Sequence, residues 1–280
     1  MLSFNRPFSP SLASRMLKSI LLTSLAIDFS AQAVGFLHAA WNRTEKLYDF
    51  FGAGSFLALA GYSYFAGQKT TRTVIASSLT ALWALRLGSF LVARVMIVGK
   101  DKRFDEVKSN IPKFAVYWFM QGVWVYSVML PVLFLNGSDN DDSLGLTDKI
   151  GIGIWAFGFI TECVADYQKW QFKRRQNTSE VQRFIDEGLW SYSRHPNYFG
   201  EITLWIGMYL LSWNGLDTVG RAVGAISPFM ITTLLLFGSG VPILEAEAER
   251  KWGSLESYQK YKREVSLLVP LPRGWNCKSD

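Results

Sequence analysis

Cysteine and histidine are scarce in this sequence, and their scarcity narrows the chemistry available to it. The chain has two cysteines, Cys163 and Cys277, and two histidines, His38 and His195. Cys163 lies in an apolar segment and Cys277 lies close to the last residue, so the pair has neither metal-ligand spacing nor the pattern of a disulfide framework. The distant histidines argue against zinc. We predict no metal site, with carboxylate ligation of another ion as the alternative left open.

Acidic residues are absent before Asp28. The stretch 1–16 is acid-free and contains serine and arginine, a composition typical of organelle transit peptides. It is equally consistent with an ordinary tail before a first membrane span. We therefore treat 1–16 as an N-terminal tail and candidate targeting segment. The expected compartment is the endoplasmic reticulum, with a plastid or mitochondrial membrane as the alternative.

Long apolar stretches recur along the chain, and short charged loops separate them. The apolar content of 49% also suits a soluble domain, so its distribution decides the class. A bilayer crossing takes about 20 helical residues, which must satisfy their own backbone hydrogen bonds. We predict an all-α polytopic membrane bundle of about seven transmembrane helices. The predicted spans are 17–38, 47–67, 73–98, 114–135, 150–167, 197–213 and 222–244.

These spans form one predicted membrane domain over 17–270, followed by a short tail over 271–280. The basic residues then give its orientation. Of 29 Lys and Arg residues, 20 fall in the loops of one side and 7 on the other. Because positive loops stay in the cytosol, the C-terminus is predicted cytosolic and the N-terminus outside. This asymmetry accounts for the net charge of +6, so we predict no nucleic-acid partner.

Two arginines lie inside the third span, where a charge is costly and usually faces a partner or a cavity. Arg86 and Arg94 are a little over two helical turns apart and project from similar faces. One interpretation is an ion pair with an intramembrane acid such as Asp28. The other is contact with a phosphorylated cofactor.

A charged stripe follows helical spacing at the end of the fifth span. Its members are Glu162, Asp166, Lys169 and Lys173, which share one helix face. The stripe is either a ladder of ion pairs at the membrane interface or a site for a ribose and phosphates.

The sixth span begins with the densest group of polar residues. Pro196 suits the first turn of a helix, which places Arg194 and His195 at the helix start. A helix N-terminus binds anions, and Arg194 adds a two-pronged phosphate donor. The structural alternative is that both residues are interfacial anchors. It leaves Asn197 and Glu201, one turn apart on the inner face, without an explanation.

The last quarter of the chain carries Glu245, Glu247 and Glu249, followed by an amphipathic, aromatic segment that ends at Pro270. Such a segment lies along a membrane surface or caps a cavity. The three acids are either interfacial or able to clamp a cofactor.

The sequence LWSYSRHPNYFGEITLWIG resembles the C-terminal motif of the steroid 5-alpha-reductase-like membrane enzymes. Matching stretches include KLYDFFG, WALRLGSFLVAR, GKDKRFDEVK, FMQGVWVYSVMLPV, ECVADYQKWQFK and SGVPILEAEAERKW, together covering about 46–270. The wider superfamily includes sterol reductases, which use NADPH. It also includes isoprenylcysteine carboxyl methyltransferases, which use S-adenosylmethionine and have a similar RHPxYxG motif and a tail like Tyr258, Tyr261 and Pro270.

The resemblance implies that the C-terminal half, about 150–270, binds NADPH. Asn197 and Glu201 match residues that contact the nicotinamide amide in the steroid reductases, and Asp166 matches one on the adenosine side. Lys173 stands where the family has arginine, which weakens a two-pronged phosphate contact. The remaining predicted cofactor-binding residues are Arg86, Arg94, Arg103, Arg194, His195 and Tyr198.

The substrate end involves residues near the N-terminal helices. Steroid reductases hold the enone oxygen with a Tyr and a Glu near the N-terminal helices. Glu45 and Tyr48 are the catalytic candidates here, and an interfacial role for Tyr48 is the alternative.

The resemblance thus predicts NADPH-dependent reduction of a conjugated C=C bond in a steroid, isoprenoid or fatty enoyl substrate that enters from the bilayer lipids. Two alternatives stay open at the sequence level. One is a methyltransferase that uses S-adenosylmethionine, and the other is a non-catalytic scaffold or lipid-binding protein. The sequence does not indicate an oligomeric state.

Overall fold

The computed structural model is helical throughout the part of the chain that it describes, residues 10–98, 104, 107–140, 143–176 and 183–275. Within those ranges the β-pairing is an isolated bridge between Ser193 and Ser266. The all-α prediction is confirmed. The helices are α1 (Pro10–Asn42), α2 (Tyr48–Ala66), α3 (Thr71–Val98), α4 (Ile111–Asn136), α5 (Leu146–Gln176), α6 (Pro196–Ser212), α7 (Thr218–Gly224), α8 (Ile226–Phe237), α9 (Val241–Trp252) and α10 (Glu256–Glu264).

Five helical stretches in the described residues are long and apolar enough to cross a membrane. They are Leu12–Asn42, Thr71–Ala93, Ile111–Asn136, Leu146–Gln176 and Thr218–Trp252. The other two predicted spans coincide with α2 and α6, helices of 19 and 17 residues. A count of seven crossings, and the orientation of the termini, stay predictions.

Local sequence signals explain where several helices begin. The Asn110 side chain accepts a hydrogen bond from Lys113 N at 3.1 Å, which caps α4. Asp217 caps α7 in the same way through Gly220 N at 2.7 Å. Side-chain caps of this kind satisfy N–H groups that have no partner within the helix. Pro196 opens α6, as its fixed backbone angle favours.

The span predicted over 222–244 lies within the candidate crossing stretch Thr218–Trp252, but it is not one unbroken helix. The structure divides this stretch among α7, α8 and α9, with breaks at Ala225 and at 238–240. The second break contains Gly238 and Gly240, the most permissive residues for non-helical backbone, and Pro242 restarts the helix in its first turn. The first helix also begins earlier than predicted, at Pro10 instead of residue 17.

The chain forms two compact units. Unit 1 comprises 1–149 and 208–227, and unit 2 comprises 150–207 and 228–280. In unit 1, α2 packs against α1, α3 and α4, and α4 also packs against α7. Its core is aromatic: Phe56 lies edge-on to Trp83 and to Trp124, with ring centroids 4.8 and 5.0 Å apart.

Unit 1 contains a fully buried ion pair between the starts of α3 and α5. Arg72 Nε and Nη2 lie 2.8 and 3.1 Å from the two oxygens of Asp148. Asn214 Nδ2 and Gly145 N also donate to Asp148, at 3.1 and 2.7 Å. Two parallel bonds to one carboxylate fix geometry strongly, so this pair ties the start of α3 to the start of α5, and Asn214 joins them.

Candidate active site

The segment that precedes α6 is seated on the end of α5 in unit 2. Leu189 N donates to Gln168 Oε1 at 2.9 Å, and Trp190 Nε1 donates to Ala165 O at 3.0 Å. Gly188 has a φ of 61°, a left-handed conformation that favours glycine. A Cβ on Gly188 would also lie 2.5 Å from Gln168 Nε2, so the Gln168 side chain would have to shift. We call 186–195 the motif segment.

Glycines allow α5 and α6 to approach each other closely. A Cβ added at Gly200 would lie 2.7 Å from both Glu162 N and Gly158 O. Two turns further along α6, a Cβ added at Gly207 would lie 2.7 Å from Gly151 O. Small residues at a helix crossing permit backbone-to-backbone contact in membrane proteins. This contact aligns the charged stripe of α5 with the first turns of α6.

The stripe and the α6 start meet through Asn197 and Asp166. Asn197 Nδ2 donates to Asp166 Oδ1 at 3.3 Å, and the Asp166 residue is buried. Glu162, one turn earlier on α5, is buried as well. Lys169 Nζ lies 4.8 Å from the centre of the Trp190 ring, a cation–π distance. Unit 2 thus brings Asp166 and Asn197 together, as residues of one site require.

Arg194 and His195 both bind Glu245 of α9. His195 Nε2 lies 2.8 Å from Glu245 Oε1, and Arg194 Nη1 pairs with Glu245 Oε2. Burial lowers the pKa of His195 below its ordinary value, although the hydrogen bond to Glu245 acts in the opposite direction. A neutral His195 therefore donates its Nε2 proton to Glu245. Its ring stacks on the Tyr198 ring, with the two ring planes 9° apart. The Nε atom of Arg194 is buried without a hydrogen-bond partner among the described residues.

The C-terminal strap, residues 256–275, holds the motif segment in place. Arg194 N donates to Ser266 O at 2.8 Å, and Ser193 Oγ donates to Leu268 O at 2.7 Å. Further bonds join Tyr261 Oη to Trp190 O and Leu271 N to Tyr192 O, at 2.8 and 3.1 Å. The amphipathic segment predicted from the sequence thus includes α10 and packs against the motif segment.

An aromatic cluster anchors this strap. Tyr258 and Tyr261 pack around Phe184 with ring centroids 5.2 and 5.1 Å away. Burial raises the pKa of both tyrosine hydroxyls above their ordinary value. The two tyrosines that resemble the methyltransferase tail therefore have packing partners in unit 2.

The remaining predicted cofactor residues of unit 2 lie on the same helices. Tyr198 and Glu201 are half-buried on the first turns of α6, and Lys173 is exposed in the last turn of α5 beside Arg174 and Arg175. This cationic helix end is where the sequence predicted phosphate contacts.

Glu45, Tyr48 and Arg86 belong to unit 1. Glu45 is buried and pairs with Lys108 Nζ at 3.3 Å. Tyr48 Oη donates to Tyr117 O at 2.9 Å, and the Arg86 guanidinium lies 5.9 Å from the Phe90 ring centre. Arg103 and the side chain of Arg94 lie outside the described residues.

Sequence reasoning missed the central role of Glu245. It was one of three acids in a charged stretch, and 50 residues separate it from His195. The hydrogen bond between Ser193 and the strap was also missed. A serine carries no spacing pattern that predicts such a partner.

Comparisons with known proteins found a matching protein family and similar proteins. The family described as "Protein of unknown function (DUF1295)" matches residues 35–265. An uncharacterized protein of Schizosaccharomyces pombe is 25% identical over 60% of this chain and 56% of its own length. The 3-oxo-5-alpha-steroid 4-dehydrogenase 1 of Macaca fascicularis is 27% identical over 43% of this chain and 40% of its own. The matches thus span about half the length of these relatives, and no solved structure matches the chain.

Proposed function

Because this chain belongs to the DUF1295 family and is similar to part of a steroid 4-dehydrogenase, we propose that it is a membrane reductase. It uses NADPH to reduce a conjugated C=C bond in a lipid-soluble steroid, isoprenoid or fatty enoyl substrate. The observation that carries this proposal is the hydrogen bond between Asn197 and Asp166. It places side by side, in one unit, two residues that the resemblance assigns to the cofactor.

The polar groups of unit 2 fit such a cofactor. Arg194 Nε is a buried donor with no partner among the described residues, next to a helix N-terminus whose first N–H groups have no partner within the helix. The last turn of α5 adds Lys173, Arg174 and Arg175. Cationic donors and helix N-termini suit phosphates, which S-adenosylmethionine lacks.

Each residue has a defined task in this proposal. Asn197 donates its amide N–H to Asp166, so its carbonyl oxygen is free to face the carboxamide of nicotinamide. Glu201 lies one turn further along α6 and holds the same group. His195, neutral and bound to Glu245, fixes the entry to α6 and moves no proton. NADPH, when bound, supplies the hydride.

The membrane setting completes the proposal. Seven crossings with an external N-terminus and a cytosolic C-terminus would expose the basic loops to cytosolic NADPH. The substrate would enter from the surrounding lipids. The endoplasmic reticulum is the proposed compartment, as for the sequence prediction.

Binding of NADPH and of S-adenosylmethionine to detergent-purified protein tests the proposal. Asn197→Ala should weaken NADPH binding, and raise its apparent KM, by tenfold or more, about 1.4 kcal/mol. Arg194→Ala should weaken it as well. Asn42→Ala is the matched control, because Asn42 is exposed on α1 and bonds only locally to His38.

The outcomes separate the three functions. NADPH binding that both variants weaken, with Asn42→Ala unchanged, supports the reductase. Binding of S-adenosylmethionine alone would assign the chain to the methyltransferases. Binding of neither cofactor would favour a scaffold, and an unchanged constant for Asn197→Ala would remove the role given to Asn197.

A further inference from the structure

Helix α10 of the C-terminal strap has two faces of opposite character. Its buried face carries Tyr258 and Tyr261, which pack around Phe184. Lys260 and Arg263 lie on the opposite face, three residues apart, and both are exposed. The strap therefore binds the rest of unit 2 through an aromatic face and presents a cationic face outward.

The part of the strap that follows α10 presents apolar side chains outward. Leu267 and Val269 are 38% and 48% exposed, and Trp275 is 58% exposed. Their neighbours Ser266 and Leu268 direct their carbonyl oxygens at the motif segment. Apolar and tryptophan side chains beside lysine and arginine are typical of a segment that lies in a membrane interface. One side of the strap is thus engaged with the motif segment, and the other has the composition of a membrane-binding surface.

Contacts within unit 2 indicate the depth of the strap. Leu271 N donates to Tyr192 O at 3.1 Å, and Trp190 of the same motif segment donates to Ala165 O of α5. Ala165 lies shortly before the charged end of α5, a helix long and apolar enough to cross a membrane. Three aromatic side chains close to these residues in sequence are exposed: Tyr167, Trp170 and Tyr192. Because tyrosine and tryptophan concentrate at lipid headgroups, we expect the strap at the headgroup level of one leaflet.

The charge of the strap distinguishes between lipids. Residues 256–275 contain four Lys and Arg residues against two Glu residues. Lys262 pairs with Glu249, whereas Lys260 lies 3.8 Å from Glu264 in a surface contact that contributes little. Exposed cations next to a membrane attract anionic lipids. In the orientation proposed above, the strap faces the cytosolic leaflet, which carries such lipids.

We propose that the outward face of the strap binds the anionic phospholipids of the membrane in which the protein lies. Lys260 and Arg263 contact lipid phosphates, and Trp275 inserts among the headgroups. Because the other side of the strap accepts the hydrogen bonds of Ser193 and Arg194, bound lipid stabilises the motif segment. The inference depends on the membrane setting and not on the cofactor, so it is tested separately from NADPH binding.

Hydrogen–deuterium exchange of the full-length protein in nanodiscs tests this proposal. The peptide that contains the Arg194 amide should exchange more slowly in discs of phosphatidylcholine with phosphatidylserine than in discs of phosphatidylcholine alone, by about fivefold. The double variant Lys260→Gln/Arg263→Gln should lose this difference. Lys113→Gln/Lys149→Gln removes the same charge from exposed positions of unit 1 and should keep it. Raising the salt to about 1 M, where charges are screened beyond about 3 Å, should abolish it in every variant.

A fluorescence measurement locates the strap directly. Phosphatidylserine brominated close to its headgroup should quench tryptophan emission less in Trp275→Phe than in wild type. Equal quenching in the two proteins would remove the strap from the headgroup level and overturn the proposal.

The exchange results separate this proposal from the reductase. Equal exchange in the two lipids, or an undiminished difference in Lys260→Gln/Arg263→Gln, would overturn the lipid-binding role of the strap even where NADPH binds. A lipid effect that only this double variant loses supports the role. If that effect is found in a protein that binds no NADPH, the reductase proposal fails and the lipid-binding surface stands.

Discussion

His195 Nε2 lies 2.8 Å from Glu245 Oε1, and the other oxygen of the same carboxyl group pairs with Arg194. One residue of α9 therefore fixes both residues that lead into α6. The exposed fractions of the Arg194 and Glu245 side chains are 13% and 21%, so the pair is largely withdrawn from water and sensitive to loss of either charge.

Glu245→Gln should lower the free energy of unfolding by about 3 kcal/mol, because it leaves the Arg194 charge uncompensated in a buried position. Thermal unfolding in detergent measures this effect. Glu247→Gln on the same helix is the control. Glu247 pairs with Lys251 on the surface, and loss of such a pair costs less than about 0.5 kcal/mol. Equal effects of the two substitutions would contradict the role of Glu245.

Stability should fall as the pH is lowered below about 6.5, the ordinary pKa of histidine. Burial lowers the pKa of His195 in the folded protein, so the unfolded chain binds a proton at a pH where the folded chain does not. That difference favours unfolding in acid. Melting curves between about pH 8 and pH 5 should show a smaller loss for His195→Gln than for wild type. The same loss in both proteins would rule out His195 as the cause.

Gly200→Ala should destabilise the protein by about 1–3 kcal/mol, because the new methyl group meets backbone atoms of α5 that cannot move aside alone. It should also weaken NADPH binding by separating Asn197 from Asp166. Gly153→Ala on α5 is the control, since nothing lies within 4 Å of its added Cβ. That change should be neutral or stabilise by up to about 1 kcal/mol. Thermal unfolding and NADPH titration of both variants measure the two effects. Equal results for the two variants would contradict the close contact at Gly200.

Asp148→Asn should cost about 3–5 kcal/mol, because Arg72 is 1% exposed and loses its counter-charge. Glu264→Gln, which alters an ion pair to the exposed Lys260, should change the unfolding free energy by less than about 0.5 kcal/mol. NADPH binding at low temperature should survive in Asp148→Asn, since Asp148 lies in unit 1 whereas Asn197 and Asp166 lie in unit 2. A comparable melting temperature for both variants would refute the structural role of this pair.

The positions of the helices could be predicted from the sequence, but several of their ends could not. Apolar runs indicated a helix at every predicted span because lipid-facing and core-facing residues are both apolar. The fifth membrane span was predicted to end at 167, and the charged stripe predicted that its helix continues as far as Lys173; α5 ends at Gln176. Charged residues are good helix formers, so hydropathy marks the edge of the membrane and not the end of the helix. The Gly238 and Gly240 break in the last span was a turn signal that hydropathy hid.

The candidate site was predictable only where its members are close in sequence or on one helix. Asn197, Glu201 and the stripe containing Asp166 follow helical spacing, and their common location in unit 2 agrees with that spacing. Glu245 and Ser266 reach the motif segment through tertiary packing. No local pattern specifies such a partner. Asp28 stood out as an intramembrane acid, but only the structure showed that it has no cation beside it in the described residues.

The C-terminal strap determines the order in which the protein can be completed during synthesis. The motif segment is translated some seventy residues before Ser266 and Leu268, which accept its hydrogen bonds. Every membrane-crossing helix has therefore left the ribosome before that segment gains its partners. A nascent chain halted before Ser266 would contain Glu245, which binds the Arg194 and His195 side chains, but would lack the strap oxygens that accept from Arg194 N and Ser193 Oγ. The hydrogen bonds that fix the motif segment are thus completed only after α5, α6 and α9 have been synthesised.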